Sequence, residues 1–281
     1  MAFSDRIAEC SRFDPGGYRP FVVGTEPVGL VRHAFAARLK DFPRVFNVGT
    51  EEVLLNERLA DFATRTQAVA EVLETLRDAG EVQGWRDEPY PVAVSFTAAP
   101  LMNLERAAVP LFGVRGYGVH MNGVVGRGAG MRMWVAKRSL AKPTGPGKLD
   151  QLVAGGQPAG VSLADNLIKE CAEEATIPAE LARLAVPVGA VSYVTERPEG
   201  LRRDVLFNYD LELPESFKPH NADGEVDSFH LWPIGRVIET VRDTDDFKFN
   251  CALVVIDFLI RHGLIAPDHP DYVTLARGLH E

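Results

Sequence analysis

Three acidic residues, Glu170, Glu173 and Glu174, stand at i, i+3 and i+4 of one segment. At about 100° per residue a helix puts all three on one arc. Like charges at that spacing repel and weaken the helix. A hard divalent cation removes the conflict, and magnesium prefers carboxylate oxygen while keeping waters and substrate phosphate in its octahedron. Such an ion polarises phosphate oxygens and acidifies bound water. A solvated helix face also carries glutamates, so the trio gains meaning only from its surroundings. Just before it comes Gly155–Gly156, where the missing side chains let backbone amides approach a ligand closely. Candidate phosphate contacts are Lys137 and Arg138 at a strand end, with Arg202 and Arg203 beside a turn as alternatives. His120 and Asn122 alternate on one strand and share a face.

The elements that must position these groups follow from pattern. Ser162 is a good helix N-cap, and Asp165 three residues on fits a capping box. Leu163, Leu167, Cys171 and Ala175 recur every four residues as the buried stripe of a helix over 162–175. Upstream, 118–125 and 131–137 read as strands, 142–148 (KPTGPGK) as a loop and 149–154 as a short strand. Downstream, strands are expected at 186–194, 204–213 and 226–232, then helices at 234–241 and 247–262. In the first 112 residues helices are expected at 1–13, 28–39 and 65–76 and strands at 45–55 and 91–96. No catalytic cluster is visible there. The expected class is α+β, a mixed sheet clamped by helices in an α/β/α sandwich, preceded by a smaller α+β domain, with the division at 112/113.

The segment LVAGGQPAGVSLADNLIKECAEEATIP resembles the Nudix box. Gly155 takes the opening glycine, Lys169 the arginine position, Glu170, Glu173 and Glu174 the acidic positions, and Ile177 the closing apolar one. Val161 replaces an early Glu, Lys169 lacks the arginine fork, and Thr176 replaces the glycine that usually ends the helix left-handed. The stretches GVHMNGVV, MWVAKRS, PGKLDQLVAGG, NLIKECAEEA and DGEVDSFHLWPI extend the likeness to the thiamine pyrophosphokinase-related branch of that family, in which a domain of unknown function precedes the Nudix domain. The resemblance implies a diphosphate hydrolase with Mg2+, or Mn2+, on Glu170, Glu173 and Glu174. It implies a substrate such as thiamine diphosphate or its damaged analogues, cut to the monophosphate. It also suggests Glu225 as general base, with Asp223 and Asp227 as rivals. Gly155, Gly156, Arg138 and Lys137 are the expected substrate contacts.

Composition narrows the alternatives. The 281 residues carry a formal charge of −9, the wrong sign for a nucleic-acid polymer partner. Cys10, Cys171 and Cys251 are odd in number and lack CxxC spacing, which argues against disulfides and structural zinc. No secretory leader is read at the start, and CALVVIDFLI is too short to span a bilayer, so a cytoplasmic protein with no membrane partner is expected. A homodimer is compatible with all of this. KPTGPGKL lacks P-loop spacing, and GRGAG is followed by no helix. Rival functions are hydrolysis of a nucleoside or nucleoside-sugar diphosphate, catalytically silent diphosphate binding, and a cysteine-dependent isopentenyl-diphosphate isomerase.

Overall fold

Alternation of side chains along one long strand organises the second half of the chain. The computed structural model describes residues 2–280. In chain order the elements are α1 (Phe3–Glu9), β1 (Tyr18–Val23), β2 (Glu26–Arg32), α2 (His33–Leu39), β3 (Phe46–Val48), β4 (Val53–Leu55), α3 (Phe62–Asp78), β5 (Pro89–Val92), β6 (Met102–Glu105) and α4 (Val109–Phe112). There follow β7 (Arg115–Val125), β8 (Arg132–Arg138), β9 (Leu149–Asp150), β10 (Val153–Gly156), α5 (Leu163–Ala175), α6 (Ala179–Ala182), β11 (Val186–Arg197), β12 (Gly200–Glu212), β13 (Val226–Pro233), α7 (Ile234–Asp243), α8 (Phe249–Arg261) and α9 (Tyr272–Gly278).

The second half is a mixed sheet in the order β11-β12-β7-β8-β13. Only β7 and β12 pair in parallel. β7 is shared: its first part pairs with β10, Gly118 opposite Gly156, and its last part with β8, Gly123 opposite Trp134. The sheet therefore splits along β7, with β10 and β8 taking successive parts of the same edge. The pleat sends Val119 and Met121 to one face, where they pack with Leu167, Cys171 and Ala175 of α5. The other face packs on α7 and α8. This is the expected α/β/α sandwich.

The first half holds a four-stranded sheet, order β2-β1-β4-β3, and the hairpin β5–β6, around a core that includes Phe21, Phe46, Leu73, Leu76 and Phe112. α1 does not belong to that core. Its Phe3 and Ile7, with Cys10 just after it, are buried with α8 and α9 residues such as Phe249, Phe258 and Leu275.

Several expected elements differ. The helix expected at 28–39 is half strand: Val28 and Val31 are buried in β2, and only His33–Leu39 is helical. Val28 and Val31 stand three apart in β2, so the segment shows no period-two signal against the helical spacing that follows. The strand expected at 45–55 is the pair β3 and β4, joined by a turn at Gly49. The strand at 149–154 breaks into β9 and β10, which serve different neighbours. α1 occupies only part of the helix expected at 1–13, of which residue 1 lies outside the described residues. α9 had no sequence expectation.

Candidate active site

α5 starts as expected, with Ser162 Oγ accepting from the Asp165 amide at 3.1 Å. The reciprocal half of the capping box differs: Asp165 Oδ2 accepts from the Ser162 hydroxyl at 2.6 Å instead of from the backbone. The loop ahead of the helix is tied down by two amides that sequence reasoning missed. Asn166, fully buried, donates Nδ2 to Gly156 O at 2.8 Å and to Gln157 Oε1 at 3.1 Å. Gln157 in turn donates to Val161 O at 2.6 Å, and the Ala159 amide reaches Pro89 O at 2.8 Å in the N-terminal half. At the other end Thr176 takes the left-handed conformation itself, φ 53° and ψ 36°. The doubt that its glycine replacement raised is thereby resolved: the Ile177 amide closes onto Cys171 O at 2.9 Å, as in a glycine-terminated helix.

Of the three glutamates, two turn under the β10 edge. Glu174 is buried, and its Oε2 accepts from the Ala154 amide at 2.8 Å. Burial pushes its carboxyl up to about 8, against the opposing pull of that amide. Glu170 lies against Gly155, where a Cβ would sit 2.5 Å from Glu170 Oε2. Burial raises it too, with the Lys169 charge opposing. Glu173 is half-exposed, and Lys169 bridges it at 3.0 Å and Glu170 at 3.4 Å. The glycine pair therefore serves space: Gly155 admits Glu170, and Gly156 admits Tyr90, whose hydroxyl would overlap any Cβ there.

Glu225 reaches this end of the helix. It ion-pairs with Lys142, a nearly buried lysine whose pKa burial lowers to about 8 while the Glu174 charge resists. The loop 214–225 is stitched to the end of α5 by the His220 amide on Ala175 O and the Ala222 amide on Glu173 O. Asp223 accepts from the Glu225 amide at 2.8 Å, and burial raises its carboxyl. Asp227 pairs instead with Lys137 at 3.7 Å.

Both basic residues expected as substrate contacts have partners of their own. Lys137 is engaged with Asp227 on the surface. Arg138 is buried, its guanidinium spent on Asp150 at 2.6 Å and on the Thr144 and Gly145 carbonyls. Arg202 and Arg203 are likewise engaged, with Glu199 and Asp204, and with Gly113 O. His120 points into the α8 side of the sheet, Nδ1 2.7 Å from Gln151 Oε1, and burial lowers it to about 4. Asn122 donates to Asp210 at 3.0 Å.

Among the described residues, His120, Asp150 and Cys251 form the one trio of such side chains whose ligand-type atoms all lie within 4.8 Å of one another. Its donors are already taken. Cys251 Sγ donates to Asp150 Oδ1 at 2.7 Å, and Asp150 Oδ2 receives Arg138. Burial would raise Asp150, but Lys248 and Arg138 outweigh it and hold the carboxylate well below its usual range. The Cys251 thiol is pushed up by burial and by that carboxylate, so in the metal-free protein it is held as the hydrogen-bond donor. The trio is a polar plug between β9 and α8. Cys10 and Cys171 are also buried with raised thiols, Cys171 to about 12, which removes the cysteine nucleophile an isomerase would need.

The helix α5 thus offers hard carboxylate oxygens beneath a glycine-bearing strand edge, donors of the kind a divalent cation takes. The comparisons place it further. Nudix hydrolase 24, chloroplastic, of Arabidopsis thaliana is 48% identical over 99% of this chain and 77% of its own length. Nudix hydrolase 20, chloroplastic, of the same plant is 46% identical with the same coverage. The chain belongs to the Nudix hydrolase family, and it is an enzyme of diphosphate hydrolysis. The profile of a domain of unknown function, DUF4743, matches residues 2–116. Among solved structures, the NUDIX domain of Shewanella oneidensis NrtR complexed with ADP ribose is 13% identical, covering 53% of this chain and 90% of that one, with a TM-score of 0.42. A likeness of that size bears on neither substrate nor mechanism.

The expected cytoplasmic location is overturned by the two Arabidopsis relatives, both named chloroplastic. The features behind it, no secretory leader read and no apolar run long enough to span a bilayer, do not separate a cytoplasmic enzyme from a plastid one. Among the described residues no helix is long and apolar enough to cross a membrane.

Proposed function

We propose that this protein is a magnesium-dependent hydrolase of small-molecule diphosphates, with thiamine diphosphate or its damaged analogues as the substrate class and the monophosphate as product. In this reading residues 113–281 are the Nudix domain and 1–112 an accessory domain. The observation that carries it is the placement of Glu170 and Glu174 together beneath the β10 edge, both in surroundings that disfavour their charge. Hard oxygen donors held without enough cationic partners suit Mg2+, with Mn2+ the alternative. Glu170 and Glu174 would hold the ion, and Glu173 would join by leaving Lys169. The bound ion supplies charge neutralisation at the phosphate oxygens and a more acidic water. The chain itself must orient that water and accept its proton. Glu225 is the proposed base, and Asp223 its neighbour on the same loop. Substrate phosphate competes with Glu225 for Lys142, which frees the carboxylate for the water. The thiamine substrate class rests on the segments shared with the thiamine pyrophosphokinase-related branch.

The test is phosphate or monophosphate release from a panel of thiamine diphosphate, its oxidised analogues, ADP-ribose and a nucleoside triphosphate, with and without Mg2+, and with Glu174→Gln in parallel. Thiamine-type turnover lost in Glu174→Gln supports both site and substrate. Turnover confined to ADP-ribose or the triphosphate removes the thiamine class. Metal binding without turnover of any compound removes the hydrolase reading.

A further inference from the structure

Two side chains of the N-terminal half stand at the mouth of this site with polar groups unused. Tyr90, in β5, is only 6% exposed, yet its hydroxyl is buried without a hydrogen-bond partner. It abuts Gly156, at the end of β10, one residue beyond the glycine that faces Glu170. A buried hydroxyl lacking an acceptor costs about 1–3 kcal/mol, so a native chain seldom keeps one for packing alone. Arg106 follows β6 directly. Its guanidinium carbon lies 3.3 Å from where a Gly156 Cβ would be and 5.7 Å from the centre of the Tyr90 ring. Glu88 accepts from its Nη1 at 2.8 Å, and among the described residues Nε and Nη2 have no hydrogen-bond partner. The side chain is 44% exposed, so it can swing without disturbing the core. The Ala159–Pro89 backbone bond fixes β5 against the loop that leads into α5.

We propose that Tyr90 and Arg106 clamp one phosphate of the diphosphate substrate at the Gly156 end of β10, the hydroxyl and the guanidinium both donating to its non-bridging oxygens. The inference rests on the hydrolase reading and adds a role for the accessory half. Arginine suits it because its planar fork matches phosphate oxygens, and the unused Nε and Nη2 form one such edge. Glycine at 156 is required because a side chain there would occupy the hydroxyl's position. Glu170 and Glu174 are one helical turn, about 5.4 Å, apart. One phosphate can then lie toward Lys142 and Glu174 while the other lies toward Arg106 and Glu170. Specificity follows: the accessory half reads the phosphate group itself, so compounds with a single phosphate bind weakly.

The experiment measures binding of methylenediphosphonate, which is not hydrolysed, by calorimetry in the presence of Mn2+, for the full chain and for Tyr90→Phe, Arg106→Ala and Arg106→Lys. Each substitution is expected to weaken binding about tenfold or more, as loss of a hydrogen bond to a charged group implies. Binding of Mn2+ alone should be unchanged in Tyr90→Phe and unchanged or tighter in Arg106→Ala, because removing a cation beside carboxylates favours another cation. Tyr90→Phe keeps the ring and removes a buried hydroxyl that lacks a partner, so its melting temperature should hold or rise. Methylenediphosphonate affinity left within about twofold of wild type in Tyr90→Phe and Arg106→Ala, or no binding by the wild type, overturns the clamp. Weakened binding by the variants in a protein that turns over no substrate keeps the clamp and removes the hydrolase reading, so the two fail separately.

Discussion

Replacing Gly155 by alanine should separate stability from activity. A Cβ at this position would overlap Glu170 Cγ and Cδ and stand 2.5 Å from Oε2, where ordinary contact begins at 3.4 Å. The obstructing group is the end of a flexible side chain, so the carboxylate yields by about 1 Å and the backbone stays. Alanine in place of glycine within a strand gains about 0.5–1 kcal/mol, and an off-rotamer Glu170 costs about 0.5–1.5 kcal/mol. Net stability should change by less than about 1 kcal/mol, a melting shift of a few degrees at most. A catalytic group misplaced by about 1 Å costs roughly 10²-fold in rate, or about 2.7 kcal/mol. The assay is kcat for the best diphosphate at saturating Mg2+, paired with a thermal melt. Activity within about fivefold of wild type refutes the argument that Glu170 needs its observed position. Gly156→Ala is the contrast: its Cβ would overlap the buried Tyr90 hydroxyl and stand 3.0 Å from the ring carbon that bears it, so the ring must shift and the variant should lose stability as well as activity.

Glu174→Gln should abolish turnover yet stabilise the metal-free protein at high pH. The folded carboxyl titrates near 8 instead of its ordinary 4.5, so its contribution is fully present below about 4.5 and lost as pH rises through about 8. Coupling to Lys142 reduces the effect to about 1–3 kcal/mol, read as a gain for the variant over wild type by urea unfolding in EDTA at pH 9 and no gain at pH 4. Asp150→Asn leaves Arg138 buried without its counter-charge and should cost about 3–5 kcal/mol at neutral pH. Because the folded Asp150 pKa is depressed, that difference should shrink as pH falls below the ordinary aspartate range, and urea unfolding from pH 7 down to 3 would show it. Thr176→Gly should leave kcat unchanged: relief of the left-handed conformation, about 1–2 kcal/mol, is offset by loss of the hydroxyl bond to the His220 carbonyl, about 0.5–1.5 kcal/mol.

The catalytic helix was legible because its signals are local. Cap, stripe and carboxylates all lie within residues 162–176, and helical geometry alone arranges them. Glu170 and Glu174 separate from Glu173 only in three dimensions, where β10 covers two and Lys169 holds the third. The partners of Arg138 were invisible because Asp150 lies across a hairpin and the Thr144 and Gly145 carbonyls are backbone groups without sequence identity. Asn166 carried a readable signal: a polar residue one position from the apolar stripe of an amphipathic helix needs a partner inside. Tyr90 and Arg106 carried none, since only the docking of β5 and β6 against β10 brings them to Gly156. The split of 28–39 into strand and helix failed for a different reason. Residues 28–32 show no alternation to set against a helical period read across the whole window.

The placement of α1 bears on how the chain acquires its shape. Phe3, Ile7 and Cys10 complete a core whose other walls, α8 and α9, are the last helices in the sequence. A chain made from its N-terminus releases this segment well before its partners and must keep its apolar side waiting until, some 240 residues later, Phe249 and its neighbours emerge. Contacts of that sequence separation slow folding and lengthen the exposure of sticky surface. α1 and the helices α8 and α9 latch distant parts of the chain together, so a nick or truncation on one side loosens the other, and a fragment starting at residue 113 leaves exposed the apolar α8 side chains that α1 covers.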